Sequence, residues 1–98
     1  MRMLLTARMD TALASKAIKD NRLPEIMKSA LDRLQPEAVY FGAQDGDRTA
    51  YIVFDLKDPS GIPPVCEPLF AELGVKVHLT PVMSLEDLQS GMARLAAG

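Results

Sequence analysis

The sequence predicts an α+β domain whose elements follow the order β-α-β-β-α-β, with one further helix at the end. Three patterns predict this class. Alternation of apolar and polar residues marks four strand segments. Apolar residues at helical spacing fill the connections between the first and second and between the third and fourth segments. The pair Asp45-Gly46, between two alternating segments, predicts a hairpin with a two-residue turn.

The first half of the chain supplies one strand and two helices. Alternation over residues 2–9 predicts a strand with one apolar face. Asp10 is expected to cap a short helix over about residues 11–18, because its carboxylate can accept from free backbone N–H groups. Pro24 begins the next helix in a first-turn position where its missing N–H costs nothing, and Pro36 ends that helix.

The second half supplies a loop, two helices and a strand. Residues 58–64 predict a loop, followed by a helix that stops at a left-handed Gly74. Pro68 lies inside this helix and predicts a kink or a late start. Alternation over residues 75–80 predicts the fourth strand, and Ser84 is expected to begin a final helix. The apolar stripe of that helix consists of Leu85, Leu88, Met92 and Leu95.

Two strand-helix-strand halves joined by a hairpin are typical of a ferredoxin-like antiparallel sheet of order 4-1-3-2, with its helices on one face. In the hairpin, Gln44 is expected opposite Asp47, and Tyr40 opposite Tyr51. The side of the hairpin that should face the helices carries Val39, Phe41, Ala50, Ile52 and Phe54. The other side carries Tyr40, Thr49, Tyr51, Val53 and Asp55.

The predicted sheet leaves one face without helices. In water this face would expose an apolar patch that monomers usually avoid. We therefore expect a homodimer whose sheets pack face to face as a dimeric α/β barrel, with the terminal helix as a candidate to clasp the other subunit. The uncovered face would consist of Leu4, Thr6, Arg8, Tyr40, Tyr51, Val53, Asp55, His78 and Thr80.

The composition limits the possible functions. At 98 residues the chain is expected to be one domain, residues 1–98, that buries about 60 to 70% of its unfolded surface. Its 11 basic and 13 acidic residues give a net charge of −2, so no nucleic-acid partner is expected. The single Cys66 is expected to be a buried thiol in a reducing compartment, which favours a cytoplasmic location. The apolar run at residues 1–5 is too short to target a membrane.

Much of the chain resembles a family of small uncharacterised bacterial proteins that often carry the label pantothenate synthetase-like. The resemblance is carried by Leu23-Pro24, residues 34–41, residues 45–60, residues 67–70 and residues 81–88. It implies no reaction, because the family has no assigned catalytic residues to transfer. The chain also lacks the paired histidines and the Gly-rich phosphate loop of the large synthetase. The predicted architecture is similar to the dimeric α/β-barrel superfamily, which includes isomerases, monooxygenases and regulatory ligand-binding domains.

His78 is the candidate catalytic residue, because histidine is the side chain that changes charge near neutral pH. On the barrel-facing side of the fourth strand it could act as a general acid or base. The alternative is an interface histidine bonded to a backbone carbonyl, which is the commoner role for a histidine without a Ser, Cys or second His at a recognisable spacing. One His, one Cys and scattered carboxylates provide no metal ligand set, so no metal or cofactor is expected.

The other candidates are polar residues of the uncovered face. Taking their strands as parallel neighbours, we expect Arg8 and Asp55 to lie at the same end of the sheet. There they could bind a polar substrate, although a plain ion pair between them is favoured, since a carboxylate beside a guanidinium stays ionised. Tyr40 and Tyr51 could hydrogen-bond a ligand or pack across the dimer. Thr6 and Thr80 complete the expected ligand pocket.

These residues leave two functions open. In the first, the barrel holds a small organic molecule, with cofactor-independent isomerase, lyase or monooxygenase-like chemistry as an extension in which His78 moves a proton. In the second, the protein is a non-catalytic binding or interaction module, and the inner sheet face is only the dimer interface. A pocket of roughly 300 Å³ or more would favour the first function.

Overall fold

The computed structural model describes residues 1–98 as a four-stranded antiparallel sheet with helices. The strands are β1 (Arg2–Arg8), β2 (Ala38–Gln44), β3 (Asp47–Asp55) and β4 (Lys76–Pro81). The helices are α1 (Thr11–Lys19), α2 (Leu23–Leu34), α3 (Ile62–Leu73) and α4 (Leu85–Ala97), with a 3₁₀ turn at Pro59–Gly61. The predicted α+β, ferredoxin-like class is confirmed, and the strands lie in the order β2-β3-β1-β4.

The core lies between one sheet face and α1, α2 and α3. Every second residue of β1 is buried, and Leu5 at its centre is fully inaccessible. Ile52 of β3 and Leu73 of α3 are equally inaccessible, so sheet and helix meet in a dry contact. The core cluster comprises Met3, Leu5, Ala7, Met9, Ala14, Ala17, Leu34, Ala50, Ile52, Phe54, Leu69, Leu73 and Val75.

Local signals fix the junctions around this core. The Asp10 side chain accepts from the backbone N–H of Leu13 at 3.0 Å, which caps α1 as predicted. Gly74 ends α3 at φ +54°, and a Cβ at this position would lie 2.8 Å from the Leu13 side chain. Glycine is therefore favoured there by the left-handed backbone conformation, and a larger residue would also displace the Leu13 side chain. Asp45 and Gly46 both have positive φ, 53° and 83°, as a type I′ hairpin turn requires.

Helix α3 begins earlier than the sequence predicts. The expected loop over residues 58–64 contains the 3₁₀ turn and the first residues of α3, and no late start occurs at Pro68. Two prolines in the first turn of α3 explain the difference, because a helix needs no N–H donors from those positions. Within the helix, Pro68 cannot donate to the carbonyl of Pro64. The Arg33 side chain of α2 donates to that carbonyl instead and joins the two helices.

We predict that Arg33 and Pro68 are energetically coupled. Arg33→Ala should lower the free energy of unfolding by about 1 kcal/mol, since it leaves the Pro64 carbonyl without its donor. In a Pro68→Ala background the helix regains its own donor, so the same Arg33→Ala change should cost clearly less. Urea unfolding of the four proteins in this double-mutant cycle measures the coupling. Equal costs in the two backgrounds would contradict it.

Two residues of the hairpin depart from the predicted division of its faces. Phe41 lies on the helix side but is 61% exposed, because β2 is an edge strand that the helices cover only in part. It borders an apolar groove of about 320 Å³ beside Leu23 and Met27 of α2. Thr49 lies on the opposite side and is nevertheless only 1% exposed, with its hydroxyl donating to the carbonyl of Asp47.

Helix α4 extends away from the rest of the molecule. The capping box between Ser84 and Asp87 starts the helix at the predicted position. All residues from Leu85 to Ala97 are exposed, and the molecule measures 56 × 28 × 17 Å along its principal axes. No helix in the chain is long and apolar enough to cross a membrane.

Candidate functional site

The sheet face without helices carries a straight row of polar and aromatic residues. Tyr40 of β2 lies opposite Tyr51 of β3, as predicted. Tyr51 pairs with Thr6 of β1, and Thr6 pairs with His78 of β4. The antiparallel register therefore places one residue from every strand in a single line across what we call the open face. The open face consists of Arg2, Leu4, Thr6, Arg8, Ala38, Tyr40, Gly42, Gln44, Asp47, Thr49, Tyr51, Val53, Asp55, Lys76, His78 and Thr80.

One end of the open face is concave. A depression of about 190 Å³ is lined by Thr6, Arg8 and His78, three of the predicted site residues. Gln44 and Lys76 border the same depression, and the sequence analysis did not select them. Their positions could have been found, because Gln44 is on the same side of β2 as Tyr40, and Lys76 is two residues before His78.

The charges in this depression are partly compensated. Arg8 contacts the Asp45 carboxylate at 3.0 Å and the Asp47 carboxylate at 3.4 Å, and its side chain is only 25% exposed. Exposed Lys76, by contrast, has no carboxylate within ion-pair distance. The hydroxyl of Tyr51 donates to Oε1 of Gln44 at 3.3 Å, which orients the ring beside the depression. The depression therefore offers one free ammonium group, an exposed imidazole, the Thr6 hydroxyl and the Gln44 amide.

The predicted proximity of Arg8 and Asp55 is wrong. The strands β1 and β3 are antiparallel, so Arg8 pairs with Thr49 and Asp55 pairs with Arg2 at the far end. Six residues of strand separate the two side chains, a distance of about 20 Å. Asp55 instead contacts the ammonium group of Lys57 at 2.6 Å and that of Met1 at 2.7 Å. It takes no part in the depression beside His78.

The remaining predicted residues lie around the row rather than in the depression. Tyr40, at the edge strand, is 70% exposed. Thr80 is exposed and pairs with Leu4, one position further along the sheet than His78. β1 lies between the strands of Asp55 and His78, so these two side chains do not meet. The binding roles of these residues stay predictions.

Cys66 lies outside the site, and the structure holds no cluster of metal-binding residue types. Cys66 is buried in α3, where burial raises the pKa of its thiol and the Glu67 carboxylate raises it further. Both effects favour the unreactive thiol over the thiolate. No group of three or more His, Cys, Asp or Glu side chains is arranged to hold a metal ion.

A second concavity lies on the helix side of the molecule. It occupies about 300 Å³ between α2 and α3. An ion pair between Arg22 and Glu72 crosses it, and Arg33 is held at the Pro64 carbonyl. Because these two arginines already have partners within the fold, their positions are explained by helix packing.

Comparison with known proteins leaves the family open. No family model matches the chain, and no curated protein matches it. Among solved structures, the chain is similar to the de novo designed protein Ferredog-Diesel, with a TM-score of 0.48 and 9% sequence identity. That similarity covers 83% of this chain and 85% of the designed chain. The resemblance to the pantothenate synthetase-like family stays a prediction.

We predict that Asp55 titrates far below an ordinary aspartate. The hydrogen bond from Lys57 and that from the N-terminal ammonium lower the pKa of Asp55 to about 2. An unperturbed aspartate has a pKa of about 3.9. Because the folded-state pKa is the lower one, this contribution to stability is fully present above about pH 4 and is lost as the pH falls toward 2.

Carbon NMR of the Asp55 carboxyl group measures this titration directly. Acetylation of the N-terminus removes one of the two ammonium groups and should raise the midpoint. The substitution Lys57→Met removes the other and should raise it more, because that bond is the larger cause. A midpoint of about 3.9 in the unmodified protein would contradict the ion pairs.

Proposed function

We propose that the protein is a cytosolic homodimer that binds a small organic molecule between two sheets, at the depression beside His78. The observation that carries the proposal is the convergence of Thr6, Arg8 and His78 with free Lys76 at one end of the open face. The same face also carries the apolar and aromatic side chains of Leu4, Tyr51 and Val53. Pockets for small ligands commonly combine an apolar lining with a few placed polar groups. The open face offers that combination.

The chemistry of the face indicates the class of ligand. Tyr51 and Val53 are half-buried and Tyr40 is exposed, so an apolar or aromatic body has a surface on which to pack. The ammonium group of Lys76 can pair with a ligand carboxylate, and the imidazole N–H of His78 can donate a hydrogen bond to the same carboxylate. We therefore propose a small carboxylate with an apolar body.

A second copy of the chain is part of this proposal. The depression of about 190 Å³ is smaller than the roughly 300 Å³ at which small-molecule pockets begin. It is also open, so a ligand would keep much of its surface in water. Packing a second open face over it would enlarge the site and exclude solvent. The two-fold symmetry of such a dimer would give two equivalent sites.

Benzoate is a suitable probe, because it combines an aromatic body with one carboxylate. We expect it to shift the amide resonances of Thr6 and His78 in nitrogen-proton NMR spectra. Lys76→Met should weaken this binding about tenfold, the effect of losing one charge-assisted pair of about 1.4 kcal/mol. Lys28→Met is the matched control, because Lys28 lies on α2 and pairs with Asp32.

Benzamide, which keeps the ring and lacks the charge, should bind more weakly than benzoate. Equal binding of benzoate to the Lys76→Met and Lys28→Met proteins would contradict the proposed site. If a ligand of this class is also transformed, His78 is the residue positioned to move a proton, and His78→Ala should abolish turnover while the dimer remains.

A non-catalytic interaction module is the second candidate. It is supported by the ion pairs of Arg8, whose guanidinium is already held by Asp45 and Asp47 and need not await a ligand. In this case the row from Tyr40 to His78 would fill the interface completely. Tyr51→Ala would then weaken dimerisation, and benzoate would cause no shifts at Thr6 or His78.

A further inference from the structure

The C-terminal helix α4 has an apolar stripe that its own chain does not cover. Leu85, Leu88, Met92 and Leu95 are between 45% and 72% exposed, and no residue of α4 is buried. An isolated helix of 13 residues is only marginally stable in water without tertiary packing. The stripe is therefore left for a surface outside its own subunit.

The start of α4 is held on the open-face side of the sheet. Arg2 belongs to the same side of β1 as Leu4 and Thr6, and its guanidinium contacts the Asp87 carboxylate at 3.2 Å. The N–H of Val82 also donates to the carbonyl of Arg2, which continues the β4 pairing beyond the strand. The helix therefore leaves the subunit beside the face that we propose as the dimer interface.

The size of the open face gives a second reason to pair α4 with that interface. Four strands spaced about 4.8 Å apart and about seven residues long make a flat area of roughly 440 Å². A stable interface usually buries about 800 Å² on each partner, so the sheet face alone supplies about half. One side of α4, about 20 Å long and 10 Å wide, adds roughly 200 Å². Each copy would bury its sheet face, one side of its own α4 and an equal area beneath the partner's α4. These areas together come to roughly 840 Å², the usual size of one side of an interface.

We propose that α4 is an arm that packs its apolar stripe against a second copy of the same chain. This inference rests on the proposed homodimer and assigns a role to a segment that the ligand site does not use. In a two-fold dimer both arms are exchanged in the same way, so both stripes leave water together. The 56 Å length of one subunit is then explained, because α4 projects toward the second copy rather than folding back on its own subunit.

Sedimentation velocity over a range of protein concentrations tests the arm. Met92→Asp places a charge in the stripe and should raise the dimer dissociation constant at least about 100-fold, because each dimer loses two apolar contacts. Ser90→Asp is the matched control, since Ser90 lies about 200° around the helix from Met92. It should change the constant by less than about threefold.

Hydrogen exchange of the α4 amides in the unmodified protein is a second test, and it does not depend on whether a variant folds. In the unmodified protein these amides should exchange slowly above the dimer dissociation constant and rapidly below it. The arm is refuted if Met92→Asp and Ser90→Asp dimerise equally, or if the unmodified chain is monomeric. Slow exchange at every concentration would likewise refute it, because α4 would then pack within its own subunit.

The same samples separate the arm from the proposed ligand site. A Met92→Asp protein that dimerises poorly but binds benzoate normally at high concentration supports both proposals. If Met92→Asp weakens the dimer and benzoate does not bind even the unmodified protein, the arm stands and the ligand site fails. If benzoate binds but Met92→Asp has no effect on the dimer, only the arm fails.

Discussion

The structure depends on the alternation of side chains along its central strand. β1 pairs with β3 on one side and β4 on the other, so it sets the register of the sheet. Its odd-numbered residues close the core against three helices, and its even-numbered residues remain on the open face. Since the period of a strand is two, neither set can change side without destroying the core. The open face is therefore fixed by the same pattern that folds the protein.

The ends of β1 carry the main charges of the open face. Arg8 at one end forms ion pairs with Asp45 and Asp47 at the hairpin turn. Arg2 at the other end contacts Glu37, which precedes β2, and Asp87 of α4. Between these two charged groups lie Leu4 and Thr6. This distribution suits an apolar interface with charged margins, since buried unpaired charges would cost far more than exposed pairs at the rim.

The two ends differ in what they leave free. At the Arg2 end, Arg2, Asp55 and the N-terminal ammonium group have partners within the subunit, and the arm begins there. At the Arg8 end, Lys76 and His78 remain exposed beside a depression. The difference motivates separate roles for the two ends, with dimer contacts at one and ligand contacts at the other.

Local signals predicted most of the fold, and long-range geometry explains the errors. The Asp45-Gly46 turn and the cap at Asp10 were predictable because each involves residues close in sequence. The start of α3 was not, because prolines are typical both of loops and of first helical turns. Arg8 and Asp55 were misplaced because the prediction treated their strands as parallel, whereas neighbouring strands of the predicted antiparallel sheet run in opposite directions.

For the candidate site, the alternation of the strands placed His78 and Thr6 on the correct side of the sheet. It could not show how much of each sheet face the helices cover. Phe41 has the helix-facing parity and is still exposed, because the reach of the helices is set by their tertiary packing. The projection of α4 likewise cannot be predicted from its apolar stripe, because a helix that packs on its own subunit and one that packs on a partner have the same pattern.

The central claim is that the open face is covered by a second copy of the chain. Sedimentation equilibrium of the unmodified protein measures this most directly. We expect a mass twice the 10.7 kDa of one chain at micromolar concentration. A single species of 10.7 kDa throughout that range would contradict it, since the apolar middle of the face and the stripe of α4 would then remain in water.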